Sequence, residues 1–338
     1  MKTKIAVIGC GAWGINHVRT SLKLQNAELV AICDGSDTAR ARAQTVAPGV
    51  RAESDPEVIL SDDEIDAVII ATPAPTHASV VHEALSANKH VFVEKPFVLD
   101  PKDGAPLVAM AKEKKRVLMV GHLLRYHPYF QKLEQMARGG DLGEIHYAYA
   151  ERVNLGVVRK DENAFWSLAP HDLSMMCAVM DAPPVELTAT GQSFLNPGVE
   201  DVVFATIKFG NGNLGHIHVS WLDPHKHRKM TVVGDQKMAV FDDMQPSEKL
   251  RIYDKGVTRK KAVSYAQFYT VRQGDISIPS IKMSEPLLSE EQHFIDCIQQ
   301  EKSPITNGEE AMQVLKCLVA ASHSLKEGGK PIKLSEIS

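Results

Sequence analysis

Two clusters of residues and two single side chains carry the chemistry this chain could perform. The first cluster is Gly9-Cys10-Gly11-Ala12-Trp13-Gly14, a G-x-G-x-x-G spacing that directly follows the apolar run Ile5 to Ile8. Gly9 suits a tight turn, Gly11 lets a backbone approach a pyrophosphate, and Gly14 lets a helix pack closely on a strand. Free N–H groups at the start of such a helix attract phosphate, which makes Ala12 and Trp13 candidate contacts beside the glycines. The second cluster begins at Asp34, which ends the apolar run Leu29 to Cys33, 20 residues beyond Gly14. A carboxylate there is placed to accept hydrogen bonds from the adenosine ribose hydroxyls of a dinucleotide. Gly35, Ser36 and Asp37 follow, and no cation occurs before Arg40. A 2′-phosphate would meet two carboxylates, so the expected cofactor is NAD and not NADP.

The single side chains are Lys95 and His171. Lys95 lies in Glu94-Lys95-Pro96, after the apolar segment Lys89 to Glu94. A lysine at the end of a parallel strand can polarise a substrate oxygen or share its proton, although most lysines at strand ends are simply solvated. His171 follows Pro170 on a helical stretch. An imidazole there can take a hydroxyl proton as hydride leaves the same carbon. Alone, it would read as a buried structural histidine. Together the two supply what oxidation of an alcohol needs beside a dinucleotide.

These residues require particular elements to position them. Strands and helices alternate through residue 121: strands at Asp66–Ala71, Lys89–Glu94 and Val117–Gly121, helices at 76–88 and 101–115. Such alternation predicts a parallel sheet covered on both faces. After a helix at Pro128–Arg138, strands dominate: Ile145–Val153, Val185–Gly191, Val202–Phe209, Leu214–Trp221, Lys229–Val233, Met238–Asp242 and Leu250–Tyr253. In Leu214–Trp221, Ile217, Val219 and Trp221 alternate with His216, His218 and Ser220, which marks a sheet with one covered face. A helix at Phe165–Met180 interrupts the run and is expected to cover that face; helices at Glu285–Glu301 and 308–327 close the chain. The expected fold class is α/β: a Rossmann dinucleotide-binding domain over residues 1–122, then an α+β domain over 123–338. The second carries a large, mostly antiparallel open sheet and serves substrate binding and oligomerisation, with C-terminal helices free to pack back on the first.

Composition narrows the function classes. At 338 residues, two domains are the default. Hydrophobic content of 44%, charged content of 24% and a net charge of −4 are ordinary for a globular enzyme and give no nucleic-acid surface. Five scattered cysteines without a C-x-x-C pair point to neither a disulfide framework nor a zinc knuckle, and a reduced, cytoplasmic setting is expected. No apolar run is long enough to span a membrane. His216/His218 and His225/His227 have i, i+2 spacing, but two ligands without a patterned third make no metal site, so no metal is expected.

The motif series as a whole resembles the Gfo/Idh/MocA oxidoreductases: the glycine loop, Ala71-Thr72-Pro73 with His77, Glu94-Lys95-Pro96, Gly121-His122 with Arg125-Tyr126-His127-Pro128, and His171-Asp172. The resemblance covers essentially the whole chain. It implies Lys95 and His171 as the catalytic pair, and Thr72, Pro73, His77, Glu94, Lys95 and Arg125 as cofactor contacts beside the glycine loop and Asp34. One departure stands out. The family commonly carries an aspartate one helical turn before the histidine, where this chain has Ser167. Asp172 is adjacent in sequence, but successive helical residues do not face one another.

A narrower resemblance is to the branch that oxidises the 3-hydroxyl of UDP-N-acetylglucosamine. It rests on Asn154-Leu-Gly156, Arg159, Glu162-Asn163, Phe165-Trp166 and Ser220-Trp221-x-x-Pro224-x-Lys226-x-Arg228. Arg159, Lys226 and Arg228 could meet a diphosphate; Trp166 or Trp221 could cover a sugar or base; Asn163 and His171 complete the implied substrate set. A solvated charge run is the plainer account of Lys226 to Lys229 taken alone. A dehydrogenase of a free sugar or inositol-like polyol, and a non-catalytic NAD-binding sensor, are the competing readings. A bare sheet face of this size would invite aggregation, so a homodimer or homotetramer through the C-terminal sheet is expected.

Overall fold

The computed structural model describes residues 2–259 and 269–337. The chain divides into two compact units, Met1–Tyr126 with Ser284–Leu315, and His127–Met283 with Lys316–Ser338. The sequence reading placed the first division at 122/123.

The first unit runs β1 (Thr3–Ile8), α1 (Gly14–Ser21), β2 (Ala27–Cys33), α2 (Asp37–Val46), β3 (Arg51–Glu53), α3 (Pro56–Leu60), β4 (Ala67–Ile70), α4 (His77–Ser86), β5 (His90–Glu94), α5 (Pro101–Glu113) and β6 (Leu118–Gly121). The strands form one parallel sheet in the order β3-β2-β1-β4-β5-β6. Ile5, Val7, Val68, Ile69, Val91 and Phe92 are fully buried, as helices on both faces require. The chain order reverses between β1 and β4, and that reversal opens a crevice at the carboxyl ends of the strands. Helix starts follow local chemistry: Asp55 and Asp100 cap α3 and α5, each with proline in the first turn. The sequence reading named no element between Asp34 and Asp66. There α2 buries only Ala43 and β3 has three residues, so neither shows a hydrophobic period.

The second unit holds α6 (Pro128–Arg138), β7 (Ile145–Leu155), α7 (Ala164–Met180), β8 (Pro184–Gln192), β9 (Val202–Phe209), β10 (Leu214–Ser220), β11 (Leu222–Gly234), β12 (Met238–Asp242), β13 (Leu250–Arg259) and β14 (Tyr269–Ser277). Helix α8 (Pro286–Gln300) belongs to the first unit, α9 (Gly308–Lys326) begins in the first and ends in the second, and β15 (Ile332–Lys333) adds the last strand. The nine strands lie in the order β14-β13-β12-β11-β7-β10-β9-β8-β15. Every pair is antiparallel except β7 with β10. Helix α7 packs on β7, β9 and β10. Ala148, Ala150, Ala205, Ile217 and Val219 are buried, while Tyr147, Tyr149, Phe204 and Leu214 are exposed.

Strands of the second unit depart from the sequence reading at several places, among them β13, which runs to Arg259 instead of Tyr253. Strand β11 begins at Leu222 instead of Lys229, with an irregularity between Leu222 and His227 that hides its period. Strand β14 was missed because it is exposed along nearly its whole length and so carries no alternation. Strand β15 is too short to show one. Among the described residues, no helix is long and apolar enough to cross a membrane.

Candidate active site

The glycine loop is shaped by close contact. A Cβ on Gly9 would lie 2.6 Å from the Ala71 carbonyl carbon, and Gly9 also has φ +94. A Cβ on Gly14 would lie 1.9 Å from the Gly9 carbonyl oxygen. On Gly11 it would meet nothing within 4 Å. Two glycines therefore permit the fold, and the third faces open space beside the start of α1, which no side chain caps. That opening, at uncapped N–H groups, fits a pyrophosphate.

Asp34 is fixed by two backbone donors. Its Oδ2 accepts the Cys10 N–H at 2.7 Å and its Oδ1 accepts the Ser36 N–H at 2.8 Å. Arg40 donates to the Asp34 carbonyl at 2.6 Å and pairs with Asp37. The first cation after Asp34 is thus already engaged. Asp34, the glycine loop, Thr72-Pro73, Glu94-Lys95 and His122 follow β2, β1, β4, β5 and β6, which are neighbours in that order. With strands spaced about 4.8 Å, the row crosses roughly 19 Å. It begins where an adenosine ribose would bind and passes the pyrophosphate cradle before reaching the lysine. A cleft of about 800 Å³ lined by Lys112, Lys115, Arg116 and Lys302 lies instead where β5 and β6 begin, and holds none of these residues.

Glu94 is the best-anchored residue of the row. Its Oε1 accepts the Trp13 indole N–H at 2.7 Å and lies 2.9 Å from His17 Nε2, and its Oε2 accepts the Lys95 N–H at 3.1 Å. His17 Nδ1 lies 2.9 Å from Glu291 Oε1, and Glu291 Oε2 accepts the Ser21 hydroxyl at 2.9 Å. Burial alone would lower the His17 pKa, but hydrogen bonds to Glu291 and Glu94 outweigh it and raise it to about 10. Burial alone would raise Glu94, and the bond to His17 reverses that, so Glu94 is lowered. Burial dominates at Glu291 and Glu290, which are both raised.

Two expected cofactor contacts have hydrogen-bond partners within the protein. His77 is buried, with Nδ1 at 2.7 Å from the Pro96 carbonyl and Nε2 at 2.9 Å from the Thr72 carbonyl. It ties the loop after β4 to the loop after β5. Arg125 is also buried and donates to Glu310 at 2.9 Å; its charge is used inside the unit. His122, which follows β6, is buried, neither ring nitrogen has a hydrogen-bond partner, and burial with nearby Arg125 lowers its pKa to about 3. No sequence pattern distinguishes such a histidine from an ordinary core residue.

In the second unit, Asn163 is the N-cap of α7. Its Oδ1 accepts the Trp166 N–H at 3.1 Å and its amide donates to Glu200 at 2.7 Å. The Trp166 indole N–H donates to Ser322 at 2.8 Å, which leaves the ring as its contribution to any ligand. Trp221 is only 2% exposed and its indole N–H is bonded to Asp201, so it cannot cover a sugar. His171 is half-buried on α7. Asp172 is fully buried in a two-bond pair with Arg152, at 2.6 and 3.0 Å, and does not substitute for the family aspartate.

Arg159 pairs with Glu162 at 2.9 Å. Arg228 lies opposite Arg152 in the β11–β7 register, so it shares that sheet face, and it pairs with Asp243 at 3.7 Å; Lys226 stands two residues before it. His225 and His227 stack on the other face. Among the described residues, no group of three or more His, Cys, Asp or Glu is placed to hold a metal ion.

Comparison with known proteins agrees with this architecture. Residues 3–122 match the GFO_IDH_MocA model, described as an oxidoreductase family with an NAD-binding Rossmann fold, and residues 130–240 match the GFO/IDH/MocA C-terminal domain. UDP-N-acetylglucosamine 3-dehydrogenase of Acidithiobacillus ferrooxidans is 30% identical over 247 residues, covering 73% of this chain and 77% of its own. Myo-inositol 2-dehydrogenase of Thermotoga maritima is 27% identical and covers 99% of each chain. Among solved structures, scyllo-inositol dehydrogenase from Lactobacillus casei, with bound NAD(H) and scyllo-inositol, has a TM-score of 0.81 at 18% identity, over 99% of this chain and 100% of its own. The A. ferrooxidans 3-dehydrogenase GnnA has a TM-score of 0.83 at 24% identity, over 97% and 99%. At these identities the structural likenesses speak for the fold. The chain belongs to the Gfo/Idh/MocA oxidoreductase family, as an NAD-dependent dehydrogenase of the sugar and polyol type.

Proposed function

We propose that this enzyme oxidises the 3-hydroxyl of UDP-N-acetylglucosamine to a ketone, with Lys95 and His171 as catalytic residues. NAD, when bound along the row from Asp34 to Lys95, supplies the hydride acceptor. His171 takes the hydroxyl proton as the C–H bond of the same carbon gives up its hydride. Lys95 holds the oxygen and stabilises the negative charge that builds on it. Arg159, Lys226 and Arg228 bind the diphosphate, and the Trp166 ring lies against the sugar or base.

The observation that carries the substrate assignment is the 30% identity with UDP-N-acetylglucosamine 3-dehydrogenase over 73% of this chain. A second reading, oxidation of an inositol-like polyol, is favoured by the 99% coverage of the Thermotoga enzyme. We also propose that a second copy of the chain covers the open sheet face, where Tyr147, Tyr149, Phe204 and Leu214 are exposed.

The test incubates the purified protein with NAD and a panel of UDP-sugars, free sugars and inositols, following NADH absorbance. Turnover of UDP-N-acetylglucosamine with a 3-keto product supports the reading. Turnover of polyols with no activity on any UDP-sugar replaces it with the second.

A further inference from the structure

The first unit contains a chain of buried ionisable groups that proton transfer to His171 does not use. His17 on α1 joins Glu94, at the end of β5, to Glu291 on α8, with 2.9 Å on each side. All three elements converge on one fully buried imidazole. We propose that His17 and Glu291 are positioning residues for the cofactor site: they hold Glu94 as a carboxylate anion, and Glu94 in turn fixes the Trp13 indole of the glycine loop. The proposal rests on reading Glu94-Lys95-Pro96 as part of the NAD site, and not on the identity of the sugar.

Donor counting supports it. Glu94 Oε1 receives the Trp13 indole N–H and Oε2 receives the Lys95 N–H, two groups that can only donate, and Oε1 also lies against His17 Nε2. Donors on both oxygens favour the carboxylate, and a donating Nε2 adds a third. With Nε2 donating to Glu94, an imidazolium also donates from Nδ1 to Glu291, whose other oxygen takes the Ser21 hydroxyl. The groups around His17 are therefore Glu94 from β5, Glu291 from α8 and the aromatic rings of Trp13 and Phe92. Glu290 also comes from α8. Burial first, and then the charge of Glu94, raise its pKa well above the ordinary carboxyl value, and both of its oxygens lie buried without a hydrogen-bond partner. Lys95, next in the chain, adds a positive charge near Glu94.

Two carboxyl groups share one buried imidazole, and removing Glu291 leaves His17 with one hydrogen-bonded carboxyl partner in place of two, which weakens its hold on the second proton. The consequence reaches the ligand cradle through Trp13. Its ring is 45% exposed and stands in the loop beside Gly11, which faces open space. The indole N–H is the only polar atom of that side chain, and its bond to Glu94 sets which way the ring faces. A half-exposed ring without that bond would sample several rotamers, and ligand binding would have to order it.

The test measures the NAD dissociation constant by calorimetry from about pH 6 to about pH 9, a range spanning the ordinary histidine pKa. Melting temperatures are recorded beside it. In the wild type, His17 stays an imidazolium and the affinity is flat. In Glu291→Gln, His17 loses one carboxylate and gives up its proton within the range. NAD binding is then near normal at the acid end and weakens by about tenfold towards the alkaline end, the effect of losing one charge-assisted hydrogen bond. Trp13→Phe weakens binding without any such pH dependence. A Glu291→Gln profile parallel to the wild type would overturn the proposal, whatever its melting temperature, because a purely structural role predicts a uniform shift. ¹⁵N-histidine NMR of the wild type decides the matter even if the variant fails to fold: His17 with both nitrogens protonated at neutral pH is expected, and a neutral His17 imidazole overturns the proposal. Wild type that does not bind NAD would refute the reading of the site instead.

Discussion

Replacing Asp34 by serine should move cofactor preference from NAD towards NADP. In the structure this carboxylate is pinned by the Cys10 and Ser36 N–H groups at 2.7 and 2.8 Å, so it cannot swing away from an incoming 2′-phosphate. Two unit charges about 4 Å apart at an effective dielectric near 20 repel by roughly 4 kcal/mol. Asp34 is partly solvated, and screening reduces this by about half, to roughly 2 kcal/mol, or about thirtyfold in affinity. Serine keeps a hydroxyl for the ribose and removes the charge. Arg40, now tied to the Asp34 carbonyl and to Asp37, and Arg42, bonded to the Cys10 carbonyl, are then the cations beside the phosphate. The assay compares kcat/KM for NAD and NADP by NADH and NADPH absorbance, with dissociation constants measured independently. The expected variant gains about thirtyfold in the NADP-to-NAD ratio. An unchanged ratio in a folded Asp34→Ser protein would refute the electrostatic account of cofactor choice.

Lys95→Ala and His171→Ala should each lower kcat by about 10²–10⁴-fold, with NAD affinity retained in His171→Ala; near-normal turnover in both would remove the catalytic assignment. Arg228→Ala should raise KM for UDP-N-acetylglucosamine more than it lowers kcat, as expected for a contact made equally in the ground and transition states. His122, lowered to about 3 from an ordinary 6.5, binds its proton more readily unfolded than folded. It therefore removes stability as pH falls from about 6.5 towards about 3. His122→Leu should gain in melting temperature relative to wild type on acidification from neutral pH, and a constant difference would contradict the assignment. Asp172→Asn should cost about 3–5 kcal/mol in urea unfolding, because it leaves the buried Arg152 guanidinium without its anion; a cost near that of a surface substitution would show that the pair is not what holds α7 to β7.

Much of the nucleotide-binding half was legible because its chemistry is local. The glycine spacing, the apolar runs and Asp34 sit within one strand–turn–helix and the next strand, so sequence neighbours are also neighbours in space. Helix α6 at Pro128–Arg138 and strands β9 and β12 were read to their observed ends, since proline, capping and period two leave direct marks. Elements without a buried face left none: α2, β3, β14 and the first residues of β11 were lost for that reason.

What the sequence determined by itself was the kind of cofactor and the strand–turn–helix motif that marks its domain, and it offered Lys95 and His171 as candidates for oxygen and proton chemistry. Tertiary structure decided which polar side chains remain for a ligand. His77, Arg125, Asn163 and Trp221 have the types and positions of ligand contacts, yet each is bonded to a carbonyl, carboxylate or backbone group inside its own unit. Conversely, Glu291 gains its meaning from His17, 274 residues away in the chain. A buried polar group must be satisfied, and its partner is chosen by packing between distant segments, which no local pattern records.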